Sequence, residues 1–262
     1  MTGQLIVASK TDPGKRRQEN QDAILVESVA MSAGAEATQL LAVADGVGGG
    51  PGGRLASEQA VRSLSEGVHE KVGLAPSEAL RHGFNLANAG VRAIAQANPD
   101  LAGMASTLTA ALVRGGQVWL ANVGDSRIYL VRDGSAGPLT YDHSWVAEQV
   151  EAGTMTADQA AADPRRNLIT RAVGVDPDLE PDLYKPIALE DGDILLLCSD
   201  GLYGVVDDAE LARMAGQAAP DECVEGMVAL ANERGGPDNI SVVLAVWSAD
   251  AVAGSPDATV RM

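Results

Sequence analysis

The chain has 262 residues, 46% of them hydrophobic and 21% charged, which is enough for a sizeable core in one large domain or two small ones. Its 36 acidic against 19 basic residues leave a formal charge of −17, and with 3 Trp, 4 Tyr and 1 Phe it lacks both the basic surface and the stacking side chains that nucleic acid demands. No apolar run approaches the roughly 18 residues of a membrane span, and the start carries no basic segment followed by a long apolar one, so a cytoplasmic protein without a membrane partner is expected.

In chain order, residues 4–8 predict a first strand and residues 10–21 a polar loop with Pro13 and Gly14. A second strand, 22–27, begins on Asp22. After a loop at 34–38 comes 39–44, apolar from Leu40 onward, ending on Asp45 and followed directly by a glycine-rich turn. Helices are expected over 54–71 and 77–97, the latter with Pro76 near its start and Ala79, Leu80, Gly83, Phe84, Ala87, Val91 and Ile94 on one face. Residues 106–113 and 117–123 about Gly115-Gly116 predict a hairpin, followed by a strand at 126–131 and a turn at Asp133-Gly134. Short helices are expected at 145–153 and 156–163, strands at 183–189 and 193–198, helices at 210–216 and 221–233, a last strand at 239–247 and a frayed tail. Cys198 and Cys223 are too few and too far apart for a thiolate zinc site and are expected to pack as small hydrophobes.

Strands come in runs joined by tight turns instead of alternating with helices, which favours antiparallel sheets. The runs 40–44 and 194–198 are apolar at every position, so those strands should be covered on both faces. Two stacked sheets with helices on each outer side satisfy both conditions.

Asp45, Asp125 and Asp200 each follow an apolar run, whereas Asp22 and Asp238 each precede one. In an antiparallel sheet the start of one strand lies beside the end of its neighbour, so these aspartates can gather at one edge. Singly each is an ordinary strand-end or turn residue. Together they would be an all-oxygen cluster, the chemistry of Mg²⁺ or Mn²⁺, and a pair of such ions forms a phosphoester hydrolysis centre. Gly46 can offer a backbone carbonyl without steric hindrance. Arg17, in the loop before Asp22, is either a solvent-exposed side chain or a guanidinium placed to grip phosphate.

The ordered set Asp12-Pro-Gly-Lys-Arg-Arg17-Gln-Glu-Asn-Gln-Asp22, Ala44-Asp45-Gly46-Val-Gly-Gly49, Gly103-Met-Ala-Ser-Thr107, Val123-Gly-Asp125-Ser-Arg127, Asp142-His143-Ser144, Asn167-Leu-Ile-Thr-Arg171-Ala-Val-Gly174, Cys198-Ser-Asp200-Gly-Leu202 and Gly236-Pro-Asp238-Asn239 resembles the metal-dependent PPM (PP2C-type) serine/threonine protein phosphatases, bacterial branch. The likeness runs from about Ser9 to Trp247. It implies a four-layer α-β-β-α sandwich of α+β class: a phosphatase domain over 1–248 with a flap at about 145–168, and a flexible tail at 249–262. It also implies hydrolysis of phosphoserine and phosphothreonine in proteins by a hydroxide bridging two Mn²⁺ or Mg²⁺ ions.

Carried over by position, Asp45 bridges the ions, Gly46 gives its carbonyl to one, and Asp200 and Asp238 ligate the first. Asp22 holds metal-bound water, Arg17 binds the substrate phosphate, and Asp125 with Asp200 holds a weaker third ion. Asn239 orients Asp238, and Arg165 and Arg166 are substrate contacts. Gln21 stands where many members have Glu, and Val47 where eukaryotic members have a histidine. His143 is expected to be structural or hydrogen-bonding. The implied partners are phosphoproteins and a bacterial Ser/Thr kinase, with type VI secretion as one setting. Two alternatives stand beside this: a phosphatase of anti-anti-sigma factors and a phosphoprotein-binding pseudophosphatase.

Overall fold

The computed structural model describes residues 3–29, 38–47, 52–71 and 73–249. Of the expectations above, the loop at 34–37, Gly48 and Gly49 of the glycine-rich turn, and the tail beyond Ala249 lie outside the described residues.

Strands β1 (Gln4–Asp12), β2 (Asp22–Val29) and β3 (Thr38–Asp45) are followed by helices α1 (Gly53–Glu70) and α2 (Pro76–Ala97). Strands β4 (Leu108–Arg114), β5 (Gln117–Val123), β6 (Arg127–Arg132) and β7 (Ser135–Pro138) precede the short helices α3 (Trp145–Glu151) and α4 (Ala157–Ala162). Then come β8 (Asp182–Leu183), β9 (Ile187–Ala188), β10 (Ile194–Cys198), α5 (Asp200–Tyr203), α6 (Asp208–Ala215), α7 (Pro220–Glu233) and β11 (Ile240–Ser248). One sheet has the order β1-β11-β10-β6-β7 and the other β2-β3-β4-β5-β8, with β9 also on β5. The pairings are antiparallel.

The wholly apolar strands explain the layering. Along β3, Leu40, Ala42 and Ala44 pack outward against α1 and α2, while Leu41 and Val43 pack inward against the other sheet. Along β10, Leu196 and Cys198 face α6 and α7, and Leu195 and Leu197 face inward. The two-residue period of a strand therefore feeds two different cores, and no position is left for a polar side chain. This is the expected α-β-β-α sandwich. The predicted face of α2 is buried from Ala79 to Val91, with Ile94 half-buried at its edge. Both cysteines are free and buried.

Several elements differ from expectation, among them α5, a short helix at Asp200–Tyr203 where none was predicted. β7 was hidden by its Gly and Pro, yet Asp133 and Gly134 have φ of 52° and 74°, the paired positive values of a tight hairpin turn, and so return the chain onto β6. The single strand expected at 183–189 is two short pieces, because Pro186 between them has no N–H to donate. The strand expected from Ser106 begins at Leu108; Ser106 instead bridges Gly46 and Val173.

Candidate active site

Strand register brings the aspartates to one end of the sandwich. Asp22 and Asp45 are direct partners across β2 and β3. Asp12 pairs with Ile240, which sets the loop carrying Arg17 beside Asp238. Cys198 pairs with Val242 on one side and Arg127 on the other, so the chain leaves β10 through Ser199 and Asp200 between Asn239 and the Asp125 turn.

Asp45 and Asp22 are held by their neighbours. Thr107 Oγ1 accepts from the Asp45 N–H at 2.8 Å, and the Asp45 carbonyl accepts from the Thr107 N–H at 2.8 Å and Ser106 Oγ at 2.9 Å. The Thr107 hydroxyl is 2.8 Å from Ser126 Oγ, which ties Asp45 to the Asp125 turn. Ser199 Oγ donates to Asp22 Oδ2 at 2.8 Å. Gly46 N–H donates to Gln21 C=O at 3.0 Å, and a Cβ on Gly46 would lie 2.2 Å from Gly53 O, so only glycine permits this approach.

Arg17 Nη2 donates to Asp238 Oδ2 at 2.6 Å. The Asn239 side chain does not orient Asp238 as expected. Its amide donates to the carbonyls of Pro13 and Glu19, both at 2.9 Å, and its oxygen accepts from Gln21 N–H at 2.8 Å. Asn239 pins the Arg17 loop, while its backbone N–H donates to Asp238 Oδ1 at 2.9 Å.

A cleft of about 830 Å³ opens from this cluster. Arg17, Asp125, Asp200 and Asp238 line it, together with Val146, Ala147, Val150 and Ala160 of α3 and α4 and with Arg166. Arg165 is committed elsewhere: it forms two bonds to Asp163 at 3.0 and 2.9 Å, and its guanidinium stacks 3.5 Å over Trp145. His143 is buried and bonds Gly124 and Asp182. Burial holds its ring below the ordinary histidine value, so it is neutral.

Electrostatics mark the cluster as strained in isolation. Burial, then the neighbouring carboxylates, pushes Asp45 well above the usual range. Burial is also the first cause for Asp22, raised to about 6, Asp125, to about 7, and Asp200, to about 8. Asp22 Oδ1 and Asp200 Oδ1 are buried without a hydrogen-bond donor. Among the described residues no three carboxylate, imidazole or thiolate side chains close on one point at the spacing of a single ion's ligands, and Asp238 is turned to Arg17. The donor set is all oxygen, with uncompensated charge and unpartnered lone pairs. It suits hard cations that keep several waters.

A carboxyl raised in the folded state holds its proton more tightly there than when unfolded. The stability this contributes is fully present below the unfolded value near 4 and is lost as pH rises through the folded values. In EDTA, the melting temperature should therefore fall between about pH 4 and pH 8, most steeply below about pH 6 where all three of these carboxyls contribute, and a saturating divalent cation should flatten the slope. A flat profile in EDTA would contradict the arrangement of charges described here.

Residues 14–244 match the sequence profile described as protein phosphatase 2C. The chain belongs to the protein phosphatase 2C family. It is 36% identical over 240 residues to the serine/threonine phosphatase stp of Listeria welshimeri, covering 90% of this chain and 93% of that one. It superposes on the catalytic domain of the serine/threonine protein phosphatase PstP in complex with two manganese ions with a TM-score of 0.81 at 34% identity, covering 94% of this chain and all of that one. PppA of Pseudomonas aeruginosa, a key regulatory component of its T6SS, matches with a TM-score of 0.77 at 34% identity over 93% of this chain and 97% of that one.

Sequence reasoning left Ser106, Thr107, Ser126 and Ser199 without roles. Their signal was present as hydroxyls flanking the aspartate-bearing strand ends, a place where serine and threonine commonly bond backbone and carboxylate.

Proposed function

We propose that this chain hydrolyses phosphoserine and phosphothreonine in proteins with Mn²⁺ or Mg²⁺. The observation that carries the reading is the meeting of five strand-end aspartates from two sheets, with Arg17 at their edge. In this reading Asp45, the Gly46 carbonyl, Asp200 and Asp238 hold two ions, and Asp125 with Asp200 holds a weaker third. Bound there, the ions supply Lewis acidity and a nucleophilic water at neutral pH.

The chain's own residues do the positioning. Asp22, steadied by Ser199 Oγ, would hold the metal-bound water. Arg17 grips the phosphate with a fork that matches its oxygens. The cleft takes the flanking peptide against the apolar wall of α3 and α4, which acts as a flap over residues 145–168. Arg166, which lines the cleft, is the substrate contact; Arg165, engaged with Asp163 and Trp145, is a support.

The domain is taken to span 1–248, and the protein to act in the cytoplasm against a bacterial Ser/Thr kinase. Among the described residues no helix is long and apolar enough to cross a membrane. The likeness to PppA bears on a type VI secretion setting, but its 34% identity equals that to PstP and does not single that setting out. The complete aspartate set argues against a pseudophosphatase. The cleft and the whole Arg17 loop favour a general protein phosphatase over one acting on anti-anti-sigma factors.

The test is turnover of a phosphothreonine peptide and of an aryl phosphate with Mn²⁺, Mg²⁺ or EDTA. Turnover of both substrates, abolished by EDTA, is expected. Turnover unaffected by EDTA, or none with either metal, would overturn the reading.

A further inference from the structure

His143 lies between β7 and α3, 4% exposed, in a stretch that the reading above leaves without a task. It bonds Gly124 twice. The Gly124 N–H donates to Nδ1 at 3.0 Å, and the His143 N–H donates to the Gly124 carbonyl at 2.9 Å. Gly124 immediately precedes Asp125 and has a φ of +107°, and a Cβ there would lie 2.6 Å from Thr107. The turn is thus closed in by Thr107 and bonded to His143.

A backbone N–H can only donate, so Nδ1 is the bare nitrogen and the neutral ring carries its proton on Nε2. That nitrogen faces Asp182 Oδ2 at 3.1 Å. Arg171 Nη1, 2.8 Å from the same nitrogen, donates to Asp182 Oδ1 at 2.7 Å, and Nη2 donates to the Glu180 carbonyl. Asp182, itself held by Arg171, is the acceptor for that proton and fixes the tautomer and the tilt of the ring, as outer partners do for a functional imidazole.

The backbone of the same residue is joined to both ends of the 145–168 segment. Ser144 caps α3 and bridges Ile169, the His143 carbonyl accepts from Thr170 N–H at 2.9 Å, and Trp145 N–H donates to the Leu168 carbonyl at 2.8 Å. We infer that His143 is a positioning residue for Asp125 and the joint through which the wall of the cleft is tied to it. This rests on the phosphatase reading of the site. A shift of the 145–168 segment when a peptide enters is passed through His143 to the turn carrying Asp125, so substrate docking and the weaker ion site are coupled.

Two substitutions separate the two sides of the ring. In His143→Asn the amide oxygen takes the place of Nδ1 and can still accept from Gly124, but the side chain is too short for Asp182. In His143→Gln the amide nitrogen takes the place of Nε2 and can still donate to Asp182, but the Gly124 N–H is left bare. The readouts are Mn²⁺ binding by calorimetry, the Mn²⁺ dependence of phosphothreonine-peptide and aryl-phosphate turnover, and melting temperature.

His143→Gln should weaken only the weakest Mn²⁺ site, about tenfold, and raise by a similar factor the Mn²⁺ needed for half-maximal peptide turnover. The tighter sites should be unchanged, and His143→Asn, which keeps the Gly124 bond but loses Asp182, should show a much smaller change than His143→Gln. Asp182→Asn, which leaves Gly124 untouched, should give a smaller change in the same direction and serves if His143→Gln does not fold. Wild-type Mn²⁺ binding in His143→Gln, or losses in both His143 variants that simply track melting temperature on both substrates, would overturn the assignment. Absence of peptide turnover in the wild type would instead strike at the phosphatase reading, and the calorimetry would still judge His143.

Discussion

Replacing Asp45 by Asn should abolish turnover and remove most of the stabilisation that Mn²⁺ confers. The strand end will survive the change, because Thr107 and Ser106 hold Asp45 through its backbone N–H and carbonyl and not through its carboxylate. What is lost is the charge on which Asp22, Asp125, Asp200 and Asp238 converge. Metal assistance is worth several kcal/mol of transition-state stabilisation, so a fall in kcat/KM of roughly a thousandfold or more is expected. A ligand present at a hundred times its Kd stabilises a fold by about 2.7 kcal/mol, and this gain should largely vanish in the variant. In EDTA the order should reverse. Removing a buried carboxylate crowded by four others should make Asp45→Asn melt above the wild type. Near-normal activity, or an undiminished Mn²⁺ shift, would remove Asp45 from the proposed set of metal ligands.

Arg17→Ala should separate catalysis from stability. The Arg17 to Asp238 pair is short, 2.6 Å, but the side chains are 42% and 27% exposed, so its contribution to the fold should be no more than about 1 kcal/mol. Asp238, with the largest share, and then Asp45 and Asp200 draw on the guanidinium and hold its proton more firmly than usual, so it is fully charged, as the proposed phosphate contact requires. A charge-assisted contact of this kind is worth about 1.5–3 kcal/mol, which predicts a 10- to 150-fold loss in kcat/KM, chiefly through KM, with weaker inhibition by inorganic phosphate. Asn239 keeps the loop in place by bonding backbone groups, so the loss belongs to the side chain. Unchanged phosphate inhibition would place Arg17 outside the site. A large drop in melting temperature would make it a structural ion pair instead.

Much of this was legible without coordinates. Apolar runs at 40–44 and 194–198 leave no solvent face, and a strand without one must be sandwiched; the core that β3 and β10 share between the sheets, and the outer core beside each, follow from that alone. The aspartates were legible because each stands next to such a run, and antiparallel pairing brings starts and ends together, as Asp22 opposite Asp45 shows. The outcome was less legible where one residue type has several partners within reach. Asn239 was expected to orient its neighbour Asp238, and its backbone N–H does bond that carboxylate, yet its side chain bonds Pro13 and Glu19, over two hundred residues away in the chain. Arg165 and Arg166 are adjacent and alike in sequence, but one stacks on Trp145 and the other lines the cleft.

The sequence by itself therefore determined the layers, the family and the residues that carry charge to one end of the sandwich, since these follow from hydrophobic period and strand-end position. Only the tertiary structure decided which donors meet which acceptors: Ser199 with Asp22, Asn239 with the Arg17 loop, His143 with the turn before Asp125. The reason is physical. Burial is a property each residue carries in its own side chain and period, whereas a hydrogen bond needs two groups within about 3 Å and aligned. Between residues distant in sequence, the packing of the two sheets sets that geometry and local pattern does not.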